Sequence, residues 1–389
     1  MTRTLILGGG FTGLATGLVN GAPVYEACDV PGGLGASYEM DGYRFEKAGG
    51  HWCFGGTPEV IGFLKGMATC KQYERKASVF FPDSGKFYPY PLQAHPEFKE
   101  TMELETGGEY GLDVVTMKDA LRKQFGITAC EKFFFPFNDL YTAGLYDKVA
   151  PQDAYKSPVQ GKGYNVSFLY PTEGLGTLAR RMAAKCQMHL GKRVQWIDVH
   201  EKMVRFNDDT CQGYDKLIST LPLNRVMEMT GLHMAADKPD PHVGVWVSNI
   251  GAVRGPNCPD DHWVYVPHSN TGFHRIGFYS NIDSMFAPSN DRVAIYVEKA
   301  FAGDCGIPEW KSTVDELQSW GWIKDYDVID PTRVDVAYTY RWPGSTWRED
   351  SLALLAKHDI VSTGRYGKWS FQGIMESIKD GFDAGVKYG

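Results

Sequence analysis

The chain reads as an α/β protein: a nucleotide-binding parallel-sheet fold, interrupted by a helical insertion and later by an antiparallel sheet. Three observations predict this. A strand, a glycine turn and a helix open the sequence; a capped helix over 116–126 is followed by an aromatic-rich segment at 133–141; and short apolar runs alternate with Pro, Gly, Asn and Asp loops from about 240 to 340. At 389 residues, the length corresponds to roughly two or three domains. The chain is 43% apolar and 22% charged, with a formal net charge of −7 and no run of five or six like charges. That argues against nucleic acid or an anionic membrane surface as a partner. No stretch of about 18 apolar residues predicts a spanning helix, and the glycines among the first 21 residues make the N-terminus a poor secretion signal. The eight cysteines are scattered without a C-x-x-C pair, which fits neither a disulfide framework nor a zinc site. A reducing, cytoplasmic location and no metal are therefore expected.

The opening elements carry the first chemistry. Thr4–Leu7 is a β-branched, apolar strand that runs into Gly8-Gly9-Gly10-Phe11-Thr12-Gly13 and then a helix-compatible stretch. In such a Rossmann-like unit the first glycine permits the turn, the second lets a pyrophosphate approach the backbone, and the third lets helix and strand pack closely. The helix N-terminus then offers unpaired N–H groups to the anion. Pro23-Val24-Tyr25 is a second short strand ending at Glu26, thirteen residues after Gly13, where a carboxylate can accept both hydroxyls of an adenosine ribose. A solvated strand end is the plainer alternative for Glu26. Directly after it, Val30-Pro31-Gly32-Gly33-Leu34-Gly35 supplies a second glycine turn, which favours FAD over a nicotinamide cofactor, although an ordinary hairpin needs the same glycines. Gly49-Gly50-His51 lies in an apolar setting; the paired glycines imply backbone brought against something flat, while a lone histidine is also compatible with a satisfied core imidazole.

The remaining elements follow from pattern. Thr116-Met117-Lys118-Asp119 has capping-box form and predicts a helix over 116–126. The cluster Phe133, Phe134, Phe135, Phe137 and Tyr141 suits either core packing or an aromatic-lined pocket. Residues 176–184 read as an amphipathic helix, 193–197 and 203–206 as strands, and 243–247, 263–266, 276–279 and 293–297 as strands of the antiparallel sheet. Ile374, Ile378 and Phe382, at spacings of four, mark a C-terminal helix.

In order along almost the whole length, the chain resembles the UDP-galactopyranose mutase family of flavoproteins, within the amine-oxidase and protoporphyrinogen-oxidase fold group. The glycine motifs with Glu26 and His51 resemble that family's FAD half. Pro89-Tyr90-Pro91-Leu92-Gln93 resembles its P-Y-P-F-Q segment, Phe135-Pro136-Phe137-Asn138 its R-P-Y-N segment, and Lys216–Thr220 its K-L-V-S-T strand. Tyr170-Pro171 with Gly174-Leu175-Gly176 resembles the return into the FAD domain, and Gly364-Arg365-Tyr366-Gly367 resembles the G-R-F-G turn. Trp263-Val264-Tyr265 and His274-Arg275 match segments that carry a phosphate-binding tyrosine and arginine. Three positions depart from the family: its active-site arginine before a proline falls on Lys156, a tyrosine after G-R-F-G falls on Phe371, and a tyrosine before proline falls on Trp342.

The resemblance implies an FAD-binding domain made of 1–65, 171–235 and 346–389, a helical substrate domain over 66–170, and an antiparallel-sheet substrate domain over 236–345. FAD would be held by Gly8, Gly10, Phe11, Thr12, Gly13, Glu26, Gly32, Gly33, Leu34, Gly49, Gly50, His51, Val194, Gly364 and Arg365. Substrate would meet Gln93, Asn138, Lys156, Tyr265, Arg275, Trp342 and Phe371, with His51, Arg275 and Arg365 as catalytic residues. The implied reaction interconverts the pyranose and furanose forms of a nucleotide sugar through an adduct at N5 of reduced flavin, so no nucleophilic side chain is needed. The alternative is an amine-oxidase-type oxidase or lyase acting on a C–N bond. The partner is a small molecule in both cases, and the oligomeric state is left open.

Overall fold

Thr4–Leu7 is apolar on both faces and so belongs inside a sheet covered on both sides. In the computed structural model, which describes residues 3–106, 113–151, 166–235 and 238–389, it is the central strand of a five-stranded parallel sheet ordered Met188–His189, Val24–Tyr25, Thr4–Leu7, Lys216–Ser219, Ile360–Ser362. The helix Phe11–Asn20 returns from it, and the C-terminal helix Ile374–Tyr388 packs against that helix. The approach is close because Gly381 and Gly385 face it. A Cβ at Gly381 would stand 2.4 Å from Thr12 O, and one at Gly385 2.5 Å from the Val19 Cβ. Small residues here let two backbones meet and fix the N-terminus of Phe11–Asn20 at the end of the parallel strands.

A seven-stranded sheet forms the second layer, ordered Ile323–Thr339, His242–Arg254, Arg292–Phe301, Arg275–Phe278, Trp263–Tyr265, Ala77–Phe81, Lys86–Pro89. It differs from the expected antiparallel sheet in two ways. Trp263–Tyr265 pairs in parallel with Ala77–Phe81, so strands from the segment read as helical complete the sheet. Cys70–Glu74 and Ser167–Pro171, from the same segment, pair with each other in a small three-stranded sheet with Cys53–Phe54. The 17-residue strand Ile323–Thr339 was also not legible, because Asp325, Asp327, Asp330 and Pro331 read as a loop. It is an edge strand, where such residues discourage pairing with another chain. Tyr43 and Tyr38 donate their hydroxyls to Asp327 and Asp330.

Register decides what this sheet presents. Tyr265 lies opposite Arg275, Arg275 opposite Glu298, and Glu298 opposite Val247, giving one row across four strands. Two residues along, Trp263, Gly277 and Tyr296 form the next row. Gly277 must lack a side chain: its Cβ would stand 2.0 Å from the Tyr296 ring.

The predicted helix at 116–126 starts at Met117, and the helical run continues to Ala129 across a break at Gly126, whose φ is 73°. The capping box forms: Thr116 Oγ1 accepts from Asp119 N–H while Asp119 accepts from Thr116 N–H. Such a cap stabilises by about 1 kcal/mol. Phe133, Phe134 and Phe137 are buried in the largest core cluster, so packing is what that aromatic run does. No helix among the described residues is long and apolar enough to cross a membrane.

Candidate active site

Ligands of parallel α/β sheets bind beyond the carboxyl ends of the strands, and a groove lies there. Each of four strands contributes the residues that follow it: Gly8 and Gly10 after Thr4–Leu7, Glu26 after Val24–Tyr25, Thr220 to Pro222 after Lys216–Ser219, and Gly364 with Arg365 after Ile360–Ser362. Phe11, Thr12, Gly32, Gly33 and Leu34 also line it.

The glycines of the first turn serve different ends. A Cβ at Gly13 would meet Gly8 O at 1.9 Å, so Gly13 is fixed by packing of helix on strand. A Cβ at Gly10 would meet nothing within 4 Å. No protein atom demands glycine there, whereas a pyrophosphate approaching the backbone does. Gly10 precedes the helix, whose N-terminus has no side-chain cap and therefore has N–H groups left for an anion. Glu26 is 7% exposed. Its Oε2 accepts from Gly9 N–H at 2.7 Å and its Oε1 from Cys28 N–H at 2.8 Å. These bonds fix the carboxylate, and each oxygen retains a second lone pair for a ribose hydroxyl. Residues and space both fit FAD.

Gly13 therefore acts through packing, and Val194 does not reach the groove; it starts the strand Val194–Asp198 and is buried in a core cluster with Tyr25 and Phe206. Gly49 works one step removed. With φ of 82° it turns its carbonyl to accept from His51 Nδ1 at 2.8 Å. Because a carbonyl only accepts, Nδ1 carries the hydrogen and Nε2 the lone pair. Loss of water around the ring pushes the His51 pKa down to about 4; the Gly49 bond opposes this, and the charges of Arg365 and Arg275 add to it. His51 is thus uncharged at neutral pH.

Beyond His51 the groove continues into a second cavity, and Leu34, His51, Arg365 and Tyr366 line both. Tyr265, Arg275 and Phe371 line this cavity, with Arg75, Tyr90, Trp263, Glu298 and Tyr338. Arg365 stands over the Phe371 ring at 4.3 Å and donates to Ala337 O at 3.0 Å and Gln372 O at 3.2 Å, so its plane is set before any ligand arrives. Arg275 donates from Nε to Glu298 Oε2 at 2.9 Å and from Nη2 to Oε1. Burial would raise the Glu298 pKa, but Arg275 and His274 outweigh it and hold the carboxyl far below its usual range. Burial raises that of the Tyr265 phenol, which stays a hydrogen-bond donor.

Three expected substrate contacts are not brought to this cavity. Asn138 is buried and donates from Nδ2 to Phe134 O at 2.7 Å, back-bonded to its own helix. Trp342 donates its indole N–H to Pro239 O at 3.0 Å, and Gln93 is buried in the turn Leu92–Ala94. Lys156 lies outside the described residues. The sequence reading missed Arg75, Glu298 and Tyr338 in the cavity and Thr220 to Pro222 in the groove. The last had a signal, since they follow a parallel strand; so had Glu298, a lone carboxylate after the apolar run Val293–Val297.

A family model described as flavin containing amine oxidoreductase matches residues 23–248. Among solved structures, the chain is similar to a reduced UDP-galactopyranose mutase, with 19% identity, 99% of this chain and 95% of that chain covered, and a TM-score of 0.87. It is also similar to a putative protoporphyrinogen oxidase from Exiguobacterium sp. 255-15, at 15% identity, 99% and 98% coverage and a TM-score of 0.74. A putrescine oxidase bound to putrescine matches at 15% identity, 99% and 98% coverage and a TM-score of 0.65.

Proposed function

This chain belongs to the flavin containing amine oxidoreductase family, its cofactor is FAD, and we propose that it is a nucleotide-sugar mutase interconverting pyranose and furanose forms. One observation carries the choice. Among the described residues, Arg75, Arg275 and Arg365 line the cavity beside the groove against the single carboxylate of Glu298, and His51 is neutral, which leaves three minus one, or two, positive charges. Such a cavity suits a diphosphate and repels an alkylammonium ion. The similarity to a mutase in fold supports the same reading.

Bound and reduced, the flavin supplies a nucleophilic nitrogen; oxidised, it supplies a hydride acceptor. The chain's own residues position and stabilise. Gly8, Gly10 and the helix N-terminus take the pyrophosphate of FAD, Glu26 its ribose, and Gly32 and Gly33 the space beside them. Arg365, held in plane by two carbonyls and Phe371, stabilises the charge that develops on a departing diphosphate. Tyr265 donates to a phosphate oxygen. His51, with Nδ1–H committed to Gly49 O, offers Nε2 as an acceptor between the two compartments. Trp52, Phe54 and Tyr338 line the cavity with rings, which hold a sugar face and exclude water.

Those rings also favour a second reading, oxidation of a C–N bond in a neutral amine, and one assay separates the two. Dithionite-reduced holoprotein is incubated without oxygen with UDP-galactopyranose and a small panel of nucleotide sugars, and oxidised holoprotein with a panel of amines. The mutase reading expects an isomeric nucleotide sugar from the reduced protein and no peroxide in air. Bleaching of oxidised flavin by an amine, with hydrogen peroxide on aeration and no isomer formed, replaces it with the oxidase.

A further inference from the structure

Glu298 is the only carboxylate lining the cavity among the described residues, and its charge is already engaged. It lies directly opposite Arg275 in the antiparallel pair Arg275–Phe278 and Arg292–Phe301. Both its oxygens accept from that guanidinium, and His274 Nε2 lies 3.2 Å from Oε2. The carboxylate is 2% exposed and His274 fully buried. Separating such a pair leaves an uncompensated buried charge, so an incoming anion does not easily pull Arg275 away. Yet the pair stands in the cavity wall, where a fixed charge acts on a ligand through less screening than in water.

We infer that Glu298 is a specificity-determining residue: by cancelling Arg275 it lowers the negative charge the cavity admits, leaving ligand anions to the cavity's other arginines and turning the pair toward an uncharged, hydroxyl-bearing part of the ligand. The chemistry of the exposed edge agrees. Nε and Nη2 of Arg275 are bonded to Glu298, so its remaining edge is a donor, and the carboxylate keeps further lone pairs as acceptors. A donor beside an acceptor suits a hydroxyl, which both gives and takes a hydrogen bond. This inference rests on the reading that the cavity beside the flavin groove takes the substrate.

The test is a charge cycle on the FAD-loaded protein, titrated with inorganic pyrophosphate and separately with UDP by calorimetry at low salt. Glu298→Gln adds one net positive charge, Arg275→Met removes one, and the double variant Arg275→Met/Glu298→Met removes both charges. Affinity for pyrophosphate is expected to rise about tenfold in Glu298→Gln and fall about tenfold in Arg275→Met, the size of a charge acting across several ångströms at a partly buried site. The double variant is expected within about threefold of the parent. An unchanged or weakened Glu298→Gln overturns the inference, as does a double variant as weak as Arg275→Met, because Arg275 is then a direct anion contact. If Glu298→Gln does not fold, the double variant decides alone, and loss of flavin from both assigns the pair to the scaffold and equally overturns selection. Parent protein indifferent to UDP, with pyrophosphate affinity gained in Glu298→Gln, sinks the nucleotide-sugar reading and keeps the filter. UDP binding without that gain does the reverse.

Discussion

The flavin groove and the cavity beside it are built by opposite means. In the groove, backbone does the work: glycines at strand ends, a helix N-terminus, and one carboxylate pinned by two N–H groups. The cavity is a surface of side chains, in which, among the described residues, rings and four charged groups come from Arg75, from four strands of the seven-stranded sheet, from the His51 loop, and from residues after Ile360–Ser362. A backbone site constrains local spacing and tolerates little change of cofactor. A side-chain site constrains only what meets in space, so its ligand can change while the fold does not, and relatives of one fold can differ in substrate while sharing a cofactor.

Two glycine substitutions strain this comparison most. Gly13→Ala puts a Cβ 1.9 Å from Gly8 O and is expected to unfold or severely destabilise the chain. Gly10→Val meets no protein atom at its Cβ and keeps φ at −72°, which any residue adopts. It is expected to melt as the parent apoprotein does while losing flavin affinity by about a hundredfold or more, equivalent to roughly 3 kcal/mol. Melting curves of apoprotein together with flavin retention on gel filtration check both. A Gly10→Val protein that stays yellow with unchanged affinity removes the backbone account of the groove.

The same contrast explains what the sequence could tell. Gly8, Gly10, Gly13 and Glu26 are local in sequence, and each was legible because spacing alone dictates its place. Arg275 and Glu298 are 23 residues apart and meet through strand register. Tyr338 lies on Ile323–Thr339, a strand hidden by the aspartates and proline that protect its exposed edge. Gln93, Asn138 and Trp342 were read as substrate contacts by linear correspondence, but buried packing and carbonyl bonds hold them elsewhere. Linear correspondence transfers a position along the chain, not the direction of a side chain.

His51 belongs to both regions, and its titration sharpens their boundary. With its pKa pushed down to about 4, chiefly by burial, the ring is neutral above that value and protonates only below it. An acid limb of kcat/KM from His51 is expected near pH 4, with no inflection near the ordinary 6.5. Arg365→Leu removes one repelling cation and is expected to raise the His51 pKa by less than about one unit, because burial is the larger cause. Titration of labelled histidines by NMR, with His51→Gln for assignment, measures both. A pKa near 6.5 would mean that water reaches the ring.

Glu46 ends the strand Tyr43–Glu46 that feeds the His51 loop. It is fully buried and accepts the Tyr170 hydroxyl, while its carbonyl accepts from Asn249 Nδ2 at 2.8 Å. Burial pushes its pKa up to about 8, and the bonds from Tyr170 and Leu175 and the charge of Arg44 offset only part of this. Between about pH 4.5 and 8 the folded carboxyl holds a proton that the unfolded chain releases, so its contribution is complete below about 4.5 and is lost as pH rises through 8. The loss proceeds at up to about 1.4 kcal/mol per pH unit. Glu298 has the opposite sign: its carboxyl is held down, so its stabilisation is present above the unfolded value and disappears only as pH falls. Glu46→Gln keeps the acceptor for Tyr170 and cannot ionise, so its melting temperature relative to the parent is expected to climb from pH 5 to pH 8, while Glu298→Gln stays below the parent over that interval. A flat difference for Glu46→Gln would show a carboxylate already ionised in the fold. In that case the loop beneath His51 is carried on a buried charge, and the backbone character of the groove stops one strand short of the place where the two regions meet.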